Sequence, residues 1–212
     1  MRRRTGRTVS ARDRGAGAVK AHRSFDPRRV GSVECDAWVT YYRREWLRFL
    51  RAAILLTRHT FGLPWPQTMV GAWLVLRANQ LWAPFPDNDP DGARRAMQRF
   101  YQLVANHHRE ALDPARAAAL EVEWWRVHRE HQRQGSGLDR QSLIEALAAL
   151  YAYVYSVPEG DVRVAAEQRA LAMDHSDRWV SEGCELSSPL IDQERAALVR
   201  SYAGLLAAVH RP

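Results

Sequence analysis

An all-α fold is what the sequence predicts: a single compact bundle of about seven helices behind a disordered, basic N-terminal tail. Three observations carry that expectation. Apolar residues recur at helical spacing along almost the whole chain after residue 32. The periodic stretches are punctuated by Asp89-Pro90, Asp113-Pro114 and Ser188-Pro189, each a capping residue followed by proline at the first helical position. No Val/Ile/Thr-rich alternating run bounded by hairpin turns occurs, so no sheet is expected.

Residues 1–31 read as a tail. They hold almost no large apolar side chain and so bury too little surface to offset the entropy of ordering. Nine arginines and Lys20 against Asp13 and Asp26 give this segment 10 − 2 = +8 of the chain's net +7. Residues 32–212, the expected all-helical domain, hold 21 arginines and 22 acids and are close to neutral. The high isoelectric point therefore belongs to the tail, which suits a weak, salt-sensitive contact with nucleic acid or anionic lipid. No base-reading element is evident in the domain.

The elements follow in order. Trp38, Tyr42, Trp46, Phe49, Ala53 and Leu56 form one apolar stripe, predicting one helix from about Cys35 to Gly62, where glycine and "LPWP" stop it. A second helix is expected over 67–82, with Met69, Ala72, Trp73 and Leu76 on its buried face, ended by "APFP". A third covers about 90–111 and buries Ala93, Met97, Phe100, Val104 and His107 or His108. Asp113 starts a fourth, which runs to the flexible break "QGSG". Asp139 starts a fifth with Leu143, Leu147, Leu150, Tyr151 and Val154 inward. The sixth spans 162–182, stopped by Gly183, and the last runs from Ser188 to about 209.

Several function classes recede on composition. All basic residues but Lys20 are arginine, a bias expected of a GC-rich bacterial genome and no argument for phosphate recognition. Cys35 and Cys184 fit no metal or redox spacing and imply no disulfide framework. The most apolar stretch carries Arg48, Arg51 and Arg58, so no transmembrane segment is expected, and no secretory signal is visible; a cytoplasmic location is the default.

Three clusters invite chemistry. Asp87, Asp89, Asp91 and Gly92 match the first half of an EF-hand calcium loop, but Gln98 stands where a bidentate carboxylate belongs, and helix initiation explains the pattern better. His128 and His131 share a helix face with Glu121 two turns back, and His107 from the preceding helix completes a candidate metal set. "AMDHSDRWVSEGC" groups Asp174, His175 and Asp177, with Asp174 and Arg178 at ion-pair spacing. Common enzyme signatures such as Gly-x-Ser-x-Gly, a phosphate loop or His-Glu-x-x-His are absent.

The aromatic load stands out: eight tryptophans and seven tyrosines. Indole and phenol rings pair an apolar body with a polar handle, which suits a pocket wall or an interface as well as a core. Trp38, Tyr42, Trp46, Trp73, Trp124 and Tyr151 are the candidate binding residues. The expectation is a non-catalytic bacterial protein that binds a protein partner, a second copy of itself, or an apolar small molecule. A metal-binding protein or metal-dependent enzyme is the alternative, and tail-borne nucleic-acid binding a third.

Overall fold

A computed structural model of the chain describes residues 23–133 and 139–211. Eight helices are present: α1 Pro27–Tyr42, α2 Trp46–Phe61, α3 Trp65–Trp82, α4 Pro90–His108, α5 Pro114–His131, α6 Arg140–Tyr155, α7 Glu159–Ser181 and α8 Pro189–Val209. No strand occurs among the described residues. Each helix packs on its neighbours in the chain, and α1 packs on α8, so the packing order closes on itself. The α2–α3 contact is the slightest of these eight. No described helix is long and apolar enough to cross a membrane.

The expected starts hold because they depend on adjacent residues. The Asp89 side chain accepts from Gly92 N, Asp113 from Ala115 N, Asp139 from Ser142 N and Ser188 from Leu190 N. The calcium reading of this region gives way to helix initiation: Asp89 Oδ1 lies 2.7 Å from Gly92 N, and Asp91 is paired with Arg94 at 2.6 Å. A side chain at Gly92 would collide with the Asp89 carboxylate, its Cβ falling 2.2 Å from Oδ2. Pro158 serves as the cap of α7, which begins three residues before the expected 162.

Three expectations need correction. The predicted tail runs too far, for Asp26-Pro27 is a fourth cap–proline pair. Asp26 Oδ1 accepts from Arg28 N and Arg29 N and starts α1. Phe25 and Val30 are buried, with Phe25 set edge-on against Tyr155 and Tyr202. Gly31 lets α1 approach α8 closely, since a Cβ there would lie 2.7 Å from Val199 N. The remainder of the expected tail, residues 1–22, lies outside the described residues, as does the "QGSG" break.

Second, the single helix from Cys35 to Gly62 is two. The chain breaks at Arg43-Arg44-Glu45, where Arg44 takes a left-handed conformation with φ 59°. Glu45 N donates back to Thr40 O at 2.8 Å and Arg44 N to Tyr41 O at 3.0 Å, a closure usually built on glycine. Arg43 donates through Nη1 to Cys184 O in the α7–α8 connection, a contact 141 residues away that no local pattern announces.

Third, α3 is rotated from the expected face, and Ala72 alone of the four residues expected there is buried. It buries Thr68, Gly71, Ala72 and Ala78, whereas Met69 and Trp73 are half exposed. Small residues face inward because the Phe100 ring of α4 presses on this helix: a Cβ at Gly71 would lie 3.2 Å from Phe100 Cε2. The main core is built from α3 to α8 with Phe25 and Val30, and a smaller one surrounds Trp179.

Candidate functional site

Four helices bring chemistry to one recess. Glu34, Trp38 and Tyr42 follow one another at i, i+4 and i+8 on α1, and α5 contributes Trp124 and His128 at i, i+4. Arg169, Met173 and Asp177 repeat that spacing on α7, and Glu194 and Leu198 repeat it on α8. The recess is small, about 360 Å³ including the solvent at its mouth.

Its electrostatics are tightly specified. The Arg169 guanidinium grips the Glu34 carboxylate with both terminal nitrogens, one of them at 2.9 Å. Tyr202 adds its hydroxyl to Glu34 Oε2 at 2.6 Å. Burial works against the charge on Arg169, and Glu34 more than compensates, holding the guanidinium protonated. His128 Nε2 lies 3.1 Å from Asp177 Oδ2, and Gln132 donates to Asp177 Oδ1 at 2.7 Å. Glu194 is 1% exposed, and its Oε2 has no hydrogen-bond partner. Burial first, and the nearby Glu34 carboxylate second, push the Glu194 carboxyl up to about 8. Burial likewise pushes the Tyr42 phenol up.

The candidate binding residues thus divide three ways. Trp38, Tyr42 and Trp124 line the recess. Tyr151 is core, buried among the residues of α6. Trp46 and Trp73 lie elsewhere, 57% and 58% exposed on α2 and α3. With them stand Leu47 and Leu50 on α2, and Trp65, Met69 and Val70 on α3, all between 43% and 86% exposed. The Arg58 guanidinium covers the Trp65 ring at 4.3 Å. Between Glu45 and Asp87 the chain has four arginines and no acid.

The candidate metal set is not assembled. Glu121 is enclosed, accepting from Tyr101 Oη at 2.6 Å, Trp124 Nε1 at 3.0 Å and Trp125 Nε1 at 3.2 Å. Burial nevertheless raises its carboxyl above the usual range. His128 faces Asp177, His131 lies 3.6 Å from Asp174, and His107 is exposed on the last turn of α4 beside the His108 ring. Among the described residues no three His, Cys, Asp or Glu side chains converge as a metal ion would require. The two polar stretches of α5 and α7 meet instead as a pair of His–Asp contacts. Asp174 also pairs with Arg140 rather than with Arg178, whose Nε donates to Glu182 at 2.7 Å.

Sequence reasoning passed over Glu34, Arg169 and Glu194. The signal was available: each is a charged residue at a core-face position, Glu34 four before Trp38 and Glu194 midway between Leu190 and Leu198. For the α2–α3 face the missed signal was the acid-free run, hidden by averaging charge over the whole domain. Comparison with models of protein families, with curated proteins and with solved structures finds no match to this chain.

Proposed function

We propose that the protein is a binding protein rather than a catalyst, and that its exposed α2–α3 face docks on the headgroup region of an anionic lipid bilayer. The observation that carries this reading is the pairing of seven exposed large apolar side chains with a 41-residue stretch, 46–86, holding four arginines and no carboxylate. Large apolar side chains exposed in this number on two neighbouring helices mark an interaction surface. Tryptophan and leucine on one side with arginine alongside is the chemistry of helices that lie in a membrane interface, where indole rings sit at headgroup depth. Each arginine near an anionic leaflet adds about 1 kcal/mol of attraction. The basic residues of the first 22 positions act in the same direction.

A protein partner, including a second copy of the chain, would use the same apolar residues but would not demand the absence of acids. Sedimentation with vesicles separates the readings. Binding to phosphatidylglycerol vesicles is expected to exceed binding to phosphatidylcholine vesicles at least tenfold, to weaken with salt, and to be lost in the Leu47→Glu/Trp73→Glu chain. Equal affinity for both vesicles would sink the lipid reading. So would a stable dimer that this double variant converts to monomer with no lipid binding in either form.

A further inference from the structure

The recess between α1, α5, α7 and α8 carries a second, independent assignment. Its three carboxylates are unequally matched. Arg169 is engaged by Glu34, and Asp177 is shared by His128 and Gln132. Arg195, next to Glu194 on α8, directs its guanidinium away, to Ser32 O at 2.9 Å and Asp36 Oδ1 at 3.0 Å. Ser176 is the one side chain that hydrogen-bonds toward the Glu194 carboxyl, and Glu194 Oε2 is left buried without a partner in a recess that the rings of Trp38, Tyr42 and Trp124 help to line. An orphaned buried carboxylate oxygen carries a desolvation cost that a charged donor relieves strongly. Rings of tryptophan and tyrosine favour the same kind of guest, because their faces attract cations. A metal ion is poorly suited, since among the described residues no three His, Cys, Asp or Glu side chains converge as its coordination would require. The small volume excludes a cofactor and admits a few non-hydrogen atoms.

We propose that this recess binds a small primary alkylammonium ion, its N–H groups donating to Glu194 Oε2 and its stem lying against Trp38, Tyr42 and Trp124. The stacked pair Trp38 and Tyr42, with ring centroids 6.3 Å apart, forms one wall, and Trp124 lies on the facing helix. Arg169, 5.6 Å from the Trp124 ring centroid, already shows that this indole accepts a cation beside it.

The test is a titration of the full chain with n-propylammonium chloride, using n-propanol as the neutral analogue of the same size, followed by tryptophan fluorescence at pH 8 and constant ionic strength. Saturable binding of the amine is expected, at least tenfold tighter than the alcohol. Glu194→Gln, which keeps the side chain's shape, is expected to lower amine affinity at least tenfold while leaving the alcohol's unchanged. Equal response to amine and alcohol overturns the proposal without reliance on any variant, and so does the absence of a saturable response to the amine. A Glu194→Gln chain that binds propylammonium as tightly as the parent overturns it as well. Because vesicle binding is read on a different face, failure here leaves the lipid reading standing, and the reverse is equally true.

Discussion

The tryptophans of α5 and α7 and those of α2 and α3 solve opposite problems. Trp124 and Trp125 both donate their indole N–H to Glu121, and Trp179, wholly buried, donates to Glu185 O at 2.8 Å. Their polar handles are satisfied inside the protein, as burial requires. Trp46, Trp65 and Trp73 keep more than half their surface in solvent, on helices whose inward faces are alanine, glycine and threonine. The charge distribution divides along the same line. The α2–α3 stretch has no acid at all, whereas α1 and α8 bury Glu34 and Glu194 and α5 encloses Glu121 among three hydrogen-bond donors. A tryptophan count says nothing about role; what separates the two populations is whether a partner for the indole has been built.

The contrast is broken or sharpened by substitution on each side. The largest effect is expected where α4 meets the small-residue face of α3. Phe100 is 2% exposed, edge-on to Phe61 at 4.9 Å and close against Gly71, so Phe100→Ala should cost about 3–5 kcal/mol in urea unfolding. A loss below about 1 kcal/mol would mean that α3 does not pack with its small residues inward.

Next in size is the consequence of the buried acids. Glu194 ionises at about 8 in the folded protein against an ordinary 4.5. The folded state therefore holds a proton that the unfolded chain has already released, and stability from this group falls as pH rises from about 4.5 to 8. The upper bound is on the order of 5 kcal/mol at about 1.4 kcal/mol per pH unit of displacement. Thermal unfolding of the parent chain should drop across that window, and Glu194→Gln should flatten the profile and raise the melting temperature at pH 8. Parallel profiles for the two chains would remove Glu194 from the account.

The smallest effect belongs to the exposed face. Trp73→Ser should shift unfolding by less than about 0.5 kcal/mol, because little buried area is lost. A loss comparable to that of Phe100→Ala would show that Trp73 is core after all, and the docking surface would lose its principal ring.

Much of the fold was legible because its determinants lie within a few residues of each other. A cap side chain reaches only the next turn, so Asp89, Asp113, Asp139 and Ser188 mark their helices in any context. Asp26 obeys the same rule, and its omission came from reading the basic residues around it as tail. The candidate site was less legible. Trp38, Tyr42 and Trp124, which the fold brings to one recess, share their composition with Trp46 and Trp73, which sit on another face.

By itself, then, the sequence determined that the chain is helical, where most helices begin, and that its aromatic rings exceed the ordinary. Tertiary structure alone decided which side of α3 faces inward, where the long first stripe breaks, and that His128 is set against Asp177. The physical reason is one of range. Capping and periodicity act through bonds and turns close in the chain, but α3 carries apolar residues on most of its circumference, and the side it buries at Gly71 is the one that meets Phe100 of α4 and Thr57 of α2. The break at Arg44 likewise brings Arg43 to a carbonyl 141 residues distant, at Cys184.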